Sequence, residues 1–204
     1  MSSVAHHKKI AHLKKSDPKL KAIIERIALR EIAITRGPFE ALVEAIVSQQ
    51  LSIKAADTIF ARFVALTPGK KFPTARQVLA LPAVKIRKAG LSKMKVSFIK
   101  DLAKKVLDKT VNLKVIDTWT DEEVMEHLTR VKGIGPWTAE MFLIFSLGRE
   151  DIFSYGDLGL KNAIRKIYNL KKHPTPAQAK KITDQWRPYR SLGSRYLWAS
   201  LDNK

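Results

Sequence analysis

Apolar residues recur at intervals of three and four along most of this chain, and that spacing fixes the class of fold. After Gly37-Pro38, the residues Phe39, Leu42, Val43, Ile46 and Val47 fall at i, i+3, i+4, i+7 and i+8. Those positions share one face of an α-helix but would scatter over both faces of a strand. Local signals punctuate the same pattern. Asp17-Pro18 and Gly37-Pro38 each set a proline in a first helical turn, where its missing N–H is no loss. Ser52 stands as a cap before Ile53, Ala56, Ile59, Phe60 and Phe63, and Ser92 before Ile99, Leu102, Val106 and Leu107. Thr120 with Glu123 reads as a capping box for a helix running to Arg130. Residues 67–74 (TPGKKFPT) form a loop and residues 109–119 a connector. Short helices are predicted at 75–80 and 83–88, longer ones near 136–147, 157–168, 176–186 and 188–199. No stretch alternates as a half-buried strand would. The prediction is an all-α fold, with two helical lobes and a cleft between them over residues 17–204 and a basic N-terminal tail at 1–16.

Charge narrows the partner. Lys and Arg number 38 against 19 Asp and Glu, a net charge of +19. Such a field attracts a polyanion, nucleic acid foremost, although a ribosomal or membrane-surface protein can carry the same excess. There is no cysteine, which excludes disulfides, zinc thiolates and iron–sulfur clusters. His6, His7 and His12 lie in the tail, and His127 and His173 stand alone, so they read as ordinary histidines. No apolar run approaches the roughly 20 residues of a membrane span. The N-terminus lacks the apolar core of a secretory signal.

One string carries more chemistry than the rest: Leu128-Thr-Arg-Val-Lys-Gly-Ile-Gly-Pro-Trp-Thr-Ala139. It joins two predicted helices by a tight turn. Gly133 and Gly135 permit positive φ and leave the backbone bare, Ile134 can anchor the turn in a core, and Pro136 suits the next first turn. Backbone N–H groups at a helix N-terminus attract an anion, and a DNA phosphate fits such a site whatever the base sequence. Lys132 adds a cation beside it. Read alone, the turn could equally be a packing corner.

The whole string resembles the hairpin of the helix-hairpin-helix DNA glycosylase superfamily. Further matches narrow the resemblance. Asp151-Ile-Phe-Ser-Tyr-Gly-Asp-Leu-Gly-Leu160 follows, with Asp157 at a predicted helix start. Phe39-Glu-Ala-Leu-Val-Glu-Ala-Ile-Val-Ser-Gln-Gln-Leu-Ser-Ile-Lys-Ala-Ala56 looks like the first signature of the 3-methyladenine DNA glycosylase II branch. Arg187-Pro-Tyr-Arg-Ser191, followed by Trp198, resembles that branch's last helix. The similarity runs from about residue 17 to residue 200.

The resemblance implies a monofunctional glycosylase that flips an alkylated purine of the 3-methyladenine or 7-methylguanine type out of duplex DNA. It hydrolyses the N-glycosidic bond as the first step of base excision repair. The cleft is then a DNA-binding cleft. Asp157 matches the catalytic aspartate, although by itself it is also an ordinary N-cap. Cleavage builds positive charge on the deoxyribose, which a carboxylate stabilises while it orients the attacking water. Trp137 and Trp198 match aromatic pocket residues, and an indole face attracts a cationic base by about 0.5–2 kcal/mol. Either could also be plain core. Tyr155 is a further pocket candidate, and Met141 fills a place where some relatives carry an aromatic ring.

Gln49, Gln50, Leu51 and Ser52 match the turn that enters the minor groove, with Leu51 as the wedge and Gln50 on the opposite strand. A buried Leu51 without special role is the alternative. Trp137 also occupies the position of the Schiff-base lysine of bifunctional relatives, which implies no lyase activity. The backbone carbonyls of Thr129, Val131 and Ile134 match those that hold a structural Na+ or K+; no cofactor is required for the reaction. With about 16 residues ahead of the first predicted helix, the expected form is a minimal two-lobed monomer. Its partner is double-stranded DNA with damaged bases, and its place is the cytosol beside the chromosome, or a nucleus. Two other readings share the fold: a non-catalytic protein that binds damaged or abasic DNA, and a glycosylase for another lesion.

Overall fold

A computed structural model describes residues 2–69 and 71–202. The tip of the predicted tail, Met1, and one position of the 67–74 loop, Lys70, lie outside the described residues. The chain begins with helices α1 (Ser2–Ser16) and α2 (Pro18–Ile24). Seven more follow: α3 (Pro38–Ser48), α4 (Ile53–Val64), α5 (Ala75–Ala80), α6 (Ala83–Lys88), α7 (Lys93–Leu107), α8 (Asp121–Thr129) and α9 (Pro136–Phe145). The last three are α10 (Leu158–Ile167), α11 (Pro176–Thr183) and α12 (Arg190–Asp202). Short 3-10 turns sit at Ile116–Thr118 and Asp184–Trp186, and no strand occurs among the described residues. The all-α expectation holds.

The helices gather into two compact units. One comprises Met1–Ile34 and Gly148–Lys204, so both ends of the chain build it; the other is the continuous stretch Thr35–Leu147. In the continuous unit α3 packs against α4, α7 and α9, α5 against α7, and α8 against α9. Leu42, Val43, Ile46 and Val47 are all fully buried, the face that the spacing in α3 predicts. Ser52, Ser92 and the Thr120–Glu123 box cap α4, α7 and α8 as read from the sequence. Two apolar residues of the predicted helical pattern stay outside the core. Ile53 is 82% exposed and Leu107 is exposed, each standing at an end of its helix.

In the other unit, α10 packs on α12, and α12 on α2. The core there includes Leu20, Phe153, Leu160, Ile164, Trp186 and Leu197. Residues 1–16 are not the tail that the sequence predicts. Ser2–Ser16 is a helix that packs on α2, and Leu13 is completely buried in the same core. The physical reason is a narrow apolar stripe, Ile10 and Leu13, carried between Lys8, Lys9, Lys14 and Lys15. Asp17 then caps α2 through Lys19 and Leu20 N–H groups and accepts from Trp186 Nε1 at 2.8 Å. The Tyr168 hydroxyl also donates to it. Burial pushes the Tyr168 phenol far above its ordinary range, and the Asp17 carboxylate adds to that.

Candidate functional site

In the continuous unit, the hairpin between α8 and α9 is built around two glycines with different jobs. Gly133 has φ +80, the left-handed region that glycine alone adopts freely. A Cβ there would stand 2.1 Å from the Phe98 ring. Gly135 is otherwise. Its φ is −93, it caps α9 without a side chain, and open space surrounds it. The expectation of positive φ therefore applies to Gly133 only, and Gly135 serves by leaving the helix N-terminus bare. Ile134 is 3% exposed and anchors the turn, while Lys132, Gly135 and Pro136 face solvent. Lys132 and the start of α9 at Gly135 and Pro136 are therefore both open to solvent.

The turn between α3 and α4 lies against this hairpin. Gln49 donates from its side-chain amide to the Gly133 carbonyl at 2.8 Å. Gln50 takes φ +57 and is exposed, Leu51 is 39% exposed, and Ser52 spends its hydroxyl on the Ala55 N–H. Leu51 is thus not a buried core residue; it and Ile53 are both exposed. Lys95 of α7, unremarked in the sequence, donates to the carbonyls of Val47 and Gln49 at 2.7 and 2.6 Å. Burial lowers its pKa from the usual lysine value. Asp101, two turns along α7, accepts the Lys132 backbone N–H at 2.8 Å and pairs with Lys105 at 2.5 Å. Burial alone would raise the Asp101 carboxyl, but those hydrogen bonds and the lysine charges outweigh it and hold it below the ordinary carboxylate range. Trp137 and Met141 stand four residues apart on α9, the first half-exposed and the second half-buried.

In the other unit, Asp157 caps α10. Its Oδ1 accepts the Leu160 N–H at 2.7 Å and the Trp198 indole N–H at 3.0 Å, and the residue is only 8% exposed. The cap and the indole therefore fix one carboxylate from two directions. Gly159 makes room for the pair: a Cβ on it would lie 3.1 Å from Asp157 Oδ1 and 3.2 Å from Trp198 Cδ1. The motif at residues 187–191 explains how the loop ahead of Asp157 keeps its shape. Arg190 donates to Asp151 Oδ1 at 2.7 Å, to the Asp151 carbonyl at 2.6 Å and to the Tyr155 hydroxyl at 3.2 Å. Arg187 donates to Asp151 Oδ2 at 2.5 Å. Ser191 gives its hydroxyl to the Arg149 carbonyl at 2.6 Å and accepts the Ile152 N–H at 3.0 Å. Burial would lower the Arg190 pKa, but the Asp151 carboxylate and Tyr155 outweigh it and raise it.

The structure thus joins Asp157 to Trp198, and Gln49 to the hairpin. It ties Tyr155 by its hydroxyl to Arg190, with Thr183 at 3.4 Å. Asp151, the first residue of the string that carries Asp157, is a salt-bridged strut. Arg190 and Ser191 were visible only as part of a motif; Lys95 and Asp101 had no signal, because each acts on a backbone distant in sequence. Among the described residues no group of His, Asp and Glu side chains could hold a metal ion. No helix among them is long and apolar enough to cross a membrane.

Comparison with known proteins points one way. The family model described as HhH-GPD superfamily base excision DNA repair protein matches residues 43–188. The DNA-3-methyladenine glycosylase 1 of Schizosaccharomyces pombe is 36% identical over 164 residues, covering 80% of this chain and 72% of that protein. The structure of the 3-methyladenine DNA glycosylase of the same yeast, in complex with abasic DNA, superposes with a TM-score of 0.84 at 32% identity, over 96% of this chain and 97% of that one. A DNA-3-methyladenine glycosidase from Bacillus halodurans gives 0.83 at 33% identity, over 94% and 88%.

Proposed function

We propose, on the premise that this chain belongs to the HhH-GPD superfamily of base excision DNA repair proteins, that it is a DNA glycosylase releasing alkylated purines from duplex DNA. The observation that carries the reading is the Asp157–Trp198 pair, a nearly buried carboxylate held at 3.0 Å by an indole N–H at a helix N-terminus. The N-glycosidic bond breaks with its electron pair leaving on the base. Positive charge then grows on the deoxyribose, and Asp157 stabilises it and orients the water that adds to the sugar. A purine alkylated at N3 or N7 is already cationic and needs little proton donation to leave. The Trp198 ring, fixed through its own N–H, offers such a cation its electron-rich face.

The hairpin at Lys132–Gly135 is assigned to a DNA phosphate and Leu51 to the gap left by the flipped nucleotide. The Gln50 position, exposed beside it, is assigned to the opposite strand. Trp137 stands where bifunctional relatives carry their lysine, so the product is an intact abasic strand. Borohydride should trap no covalent adduct, and a robust adduct would reverse this assignment. The carbonyls of Thr129, Val131 and Ile134 lie on the hairpin, and Val131 already accepts the Ile134 N–H at 3.1 Å. Backbone carbonyl oxygens can replace part of the hydration shell of an alkali cation. Bound there, Na+ or K+ would stiffen the turn and take no part in the reaction.

The test is base release from methylated duplex DNA, scored as alkali-labile abasic sites, with wild type beside Asp157→Asn. Asparagine is as good an N-cap as aspartate, so the variant should keep the Leu160 bond and the fold. Release should fall by about 10²–10³, the usual cost of removing one electrostatic stabiliser, with binding to abasic DNA retained. Equal release from both proteins would remove Asp157 from the chemistry.

A further inference from the structure

One face of α7 touches both elements assigned to DNA, and it does so with three residues on successive turns. Lys95 Nζ holds the Val47 and Gln49 carbonyls at the end of α3, at 2.7 and 2.6 Å. These are among the last carbonyls of a helix, which have no partner within it. The Lys95 ammonium satisfies two of them at once, at the residue where the chain leaves α3 for Gln50 and Leu51. Phe98 fills the space that the missing Cβ of Gly133 leaves open. Asp101 takes the Lys132 N–H at 2.8 Å and is itself held by Lys105. The circuit closes without α7 as well, because the Gln49 side chain reaches the Gly133 carbonyl.

We infer that Lys95 is a positioning residue, and that with Gln49 it sets the register between the Leu51 wedge and the phosphate-binding hairpin. The inference rests on the assignment of those two elements above. A wedge must enter the stack at a fixed offset from the phosphate that the hairpin grips, since successive phosphates and bases lie only a few ångströms apart along the strand. An exposed turn with Gln50 in a left-handed conformation has little of its own to hold that offset. Lys95 supplies the hold from behind, half-buried and with its charge directed at carbonyl oxygens rather than at DNA. Lys100 makes the same kind of double contact, to the Leu79 and Leu81 carbonyls at the end of α5, but Lys95 makes it at the turn that leads into Leu51. Removing it should leave the attraction for duplex DNA unchanged and impair only the insertion step.

The experiment uses the full chain and a duplex carrying a tetrahydrofuran abasic analogue beside 2-aminopurine, whose fluorescence rises when its stack is opened. Lys95→Met, Lys95→Arg, Gln49→Leu and Leu51→Ala are compared with wild type, and the salt dependence of binding to undamaged duplex is measured for each. Lys95→Met should reduce the insertion equilibrium by about tenfold, the weight of a charged hydrogen bond, with an unchanged salt slope. Lys95→Arg should restore most of the signal. Gln49→Leu breaks the second tie between the same two elements, the side-chain bond to the Gly133 carbonyl, and should also lower the signal, which keeps the test decisive if one variant folds poorly. If Leu51→Ala loses the signal while Lys95→Met and Gln49→Leu keep it, the positioning role is overturned and the wedge stands. If Leu51→Ala behaves as wild type, the wedge assignment itself falls and the inference with it.

Discussion

The two units solve different recognition problems with different materials. In the unit built from both chain ends, the group we assign to the chemistry is one side chain, Asp157, nearly buried and approached by a cap N–H and an indole N–H. Its loop is clamped by Arg187, Arg190 and Ser191 through side-chain bonds that span about forty residues of sequence. In the continuous unit the working surface is backbone: a hairpin with a bare helix start, and a turn whose side chains face solvent. Its supports, Phe98, Asp101 and Lys95, all lie behind it on one helix. The difference follows from the ligand. Stabilising a charge that develops at one atom demands a carboxylate fixed in low dielectric. Gripping a phosphate of any sequence demands only oriented N–H groups and a cation.

Breaking the hairpin is the most destructive way to test that contrast. Gly133→Ala forces a side chain into a left-handed backbone and into the Phe98 ring. It should cost about 2–4 kcal/mol, from backbone strain and overpacking together. Gly135→Ala, with φ −93 and open space around it, should cost far less by urea denaturation. Equal losses would mean that the two glycines are not divided between shape and access. Loosening the clamp on the other unit should be milder. Arg190→Met removes three charged hydrogen bonds but leaves Asp151 paired with Arg187. A loss of about 2 kcal/mol is expected. Base release should fall while the salt slope of DNA binding stays put, because the hairpin is untouched. A changed slope would show that the division of labour is wrong. Smaller still is Lys132→Gln: the slope of log K against log salt should shrink by about 0.9, one phosphate contact, with no effect on thermal stability.

The same division explains what could be read from the sequence. Helix positions, caps and the inward face of α3 are local, and Ser52, Ser92 and Thr120–Glu123 announce them within four residues. Asp157 and the glycines were legible because a turn and a cap are local too. The missed parts depend on distant partners. Helix α1 carries only Ile10 and Leu13 as an apolar stripe, and nothing nearby says that residues beyond position 150 will cover them. Lys95 looks like any other of 38 cations until α3 places two carbonyls in front of it. Ile53 begins its helix as the spacing predicts and yet stays exposed, because the first residue of a helix need not reach the core.

The finest discrimination between the units comes from acid. Asp101 is held below the ordinary carboxylate range by Lys105 and the Lys132 N–H, against the opposing pull of burial. A carboxyl with a depressed folded pKa contributes stability that is fully present above its unfolded pKa of about 3.9 and is lost as pH falls through the lower folded value. Asp101 ties α7 to the hairpin, so this loss falls on the hairpin backbone. Amide exchange of the Lys132 N–H should therefore accelerate relative to that of the Ile164 N–H, inside α10 of the other unit, as the pH drops below about 4. In Asp101→Asn that relative change should vanish, leaving only the intrinsic exchange chemistry of the two amides. If the Ile164 amide accelerated as much, the loss would be general, and the hairpin would owe its shape to Phe98 packing rather than to the Asp101 charge.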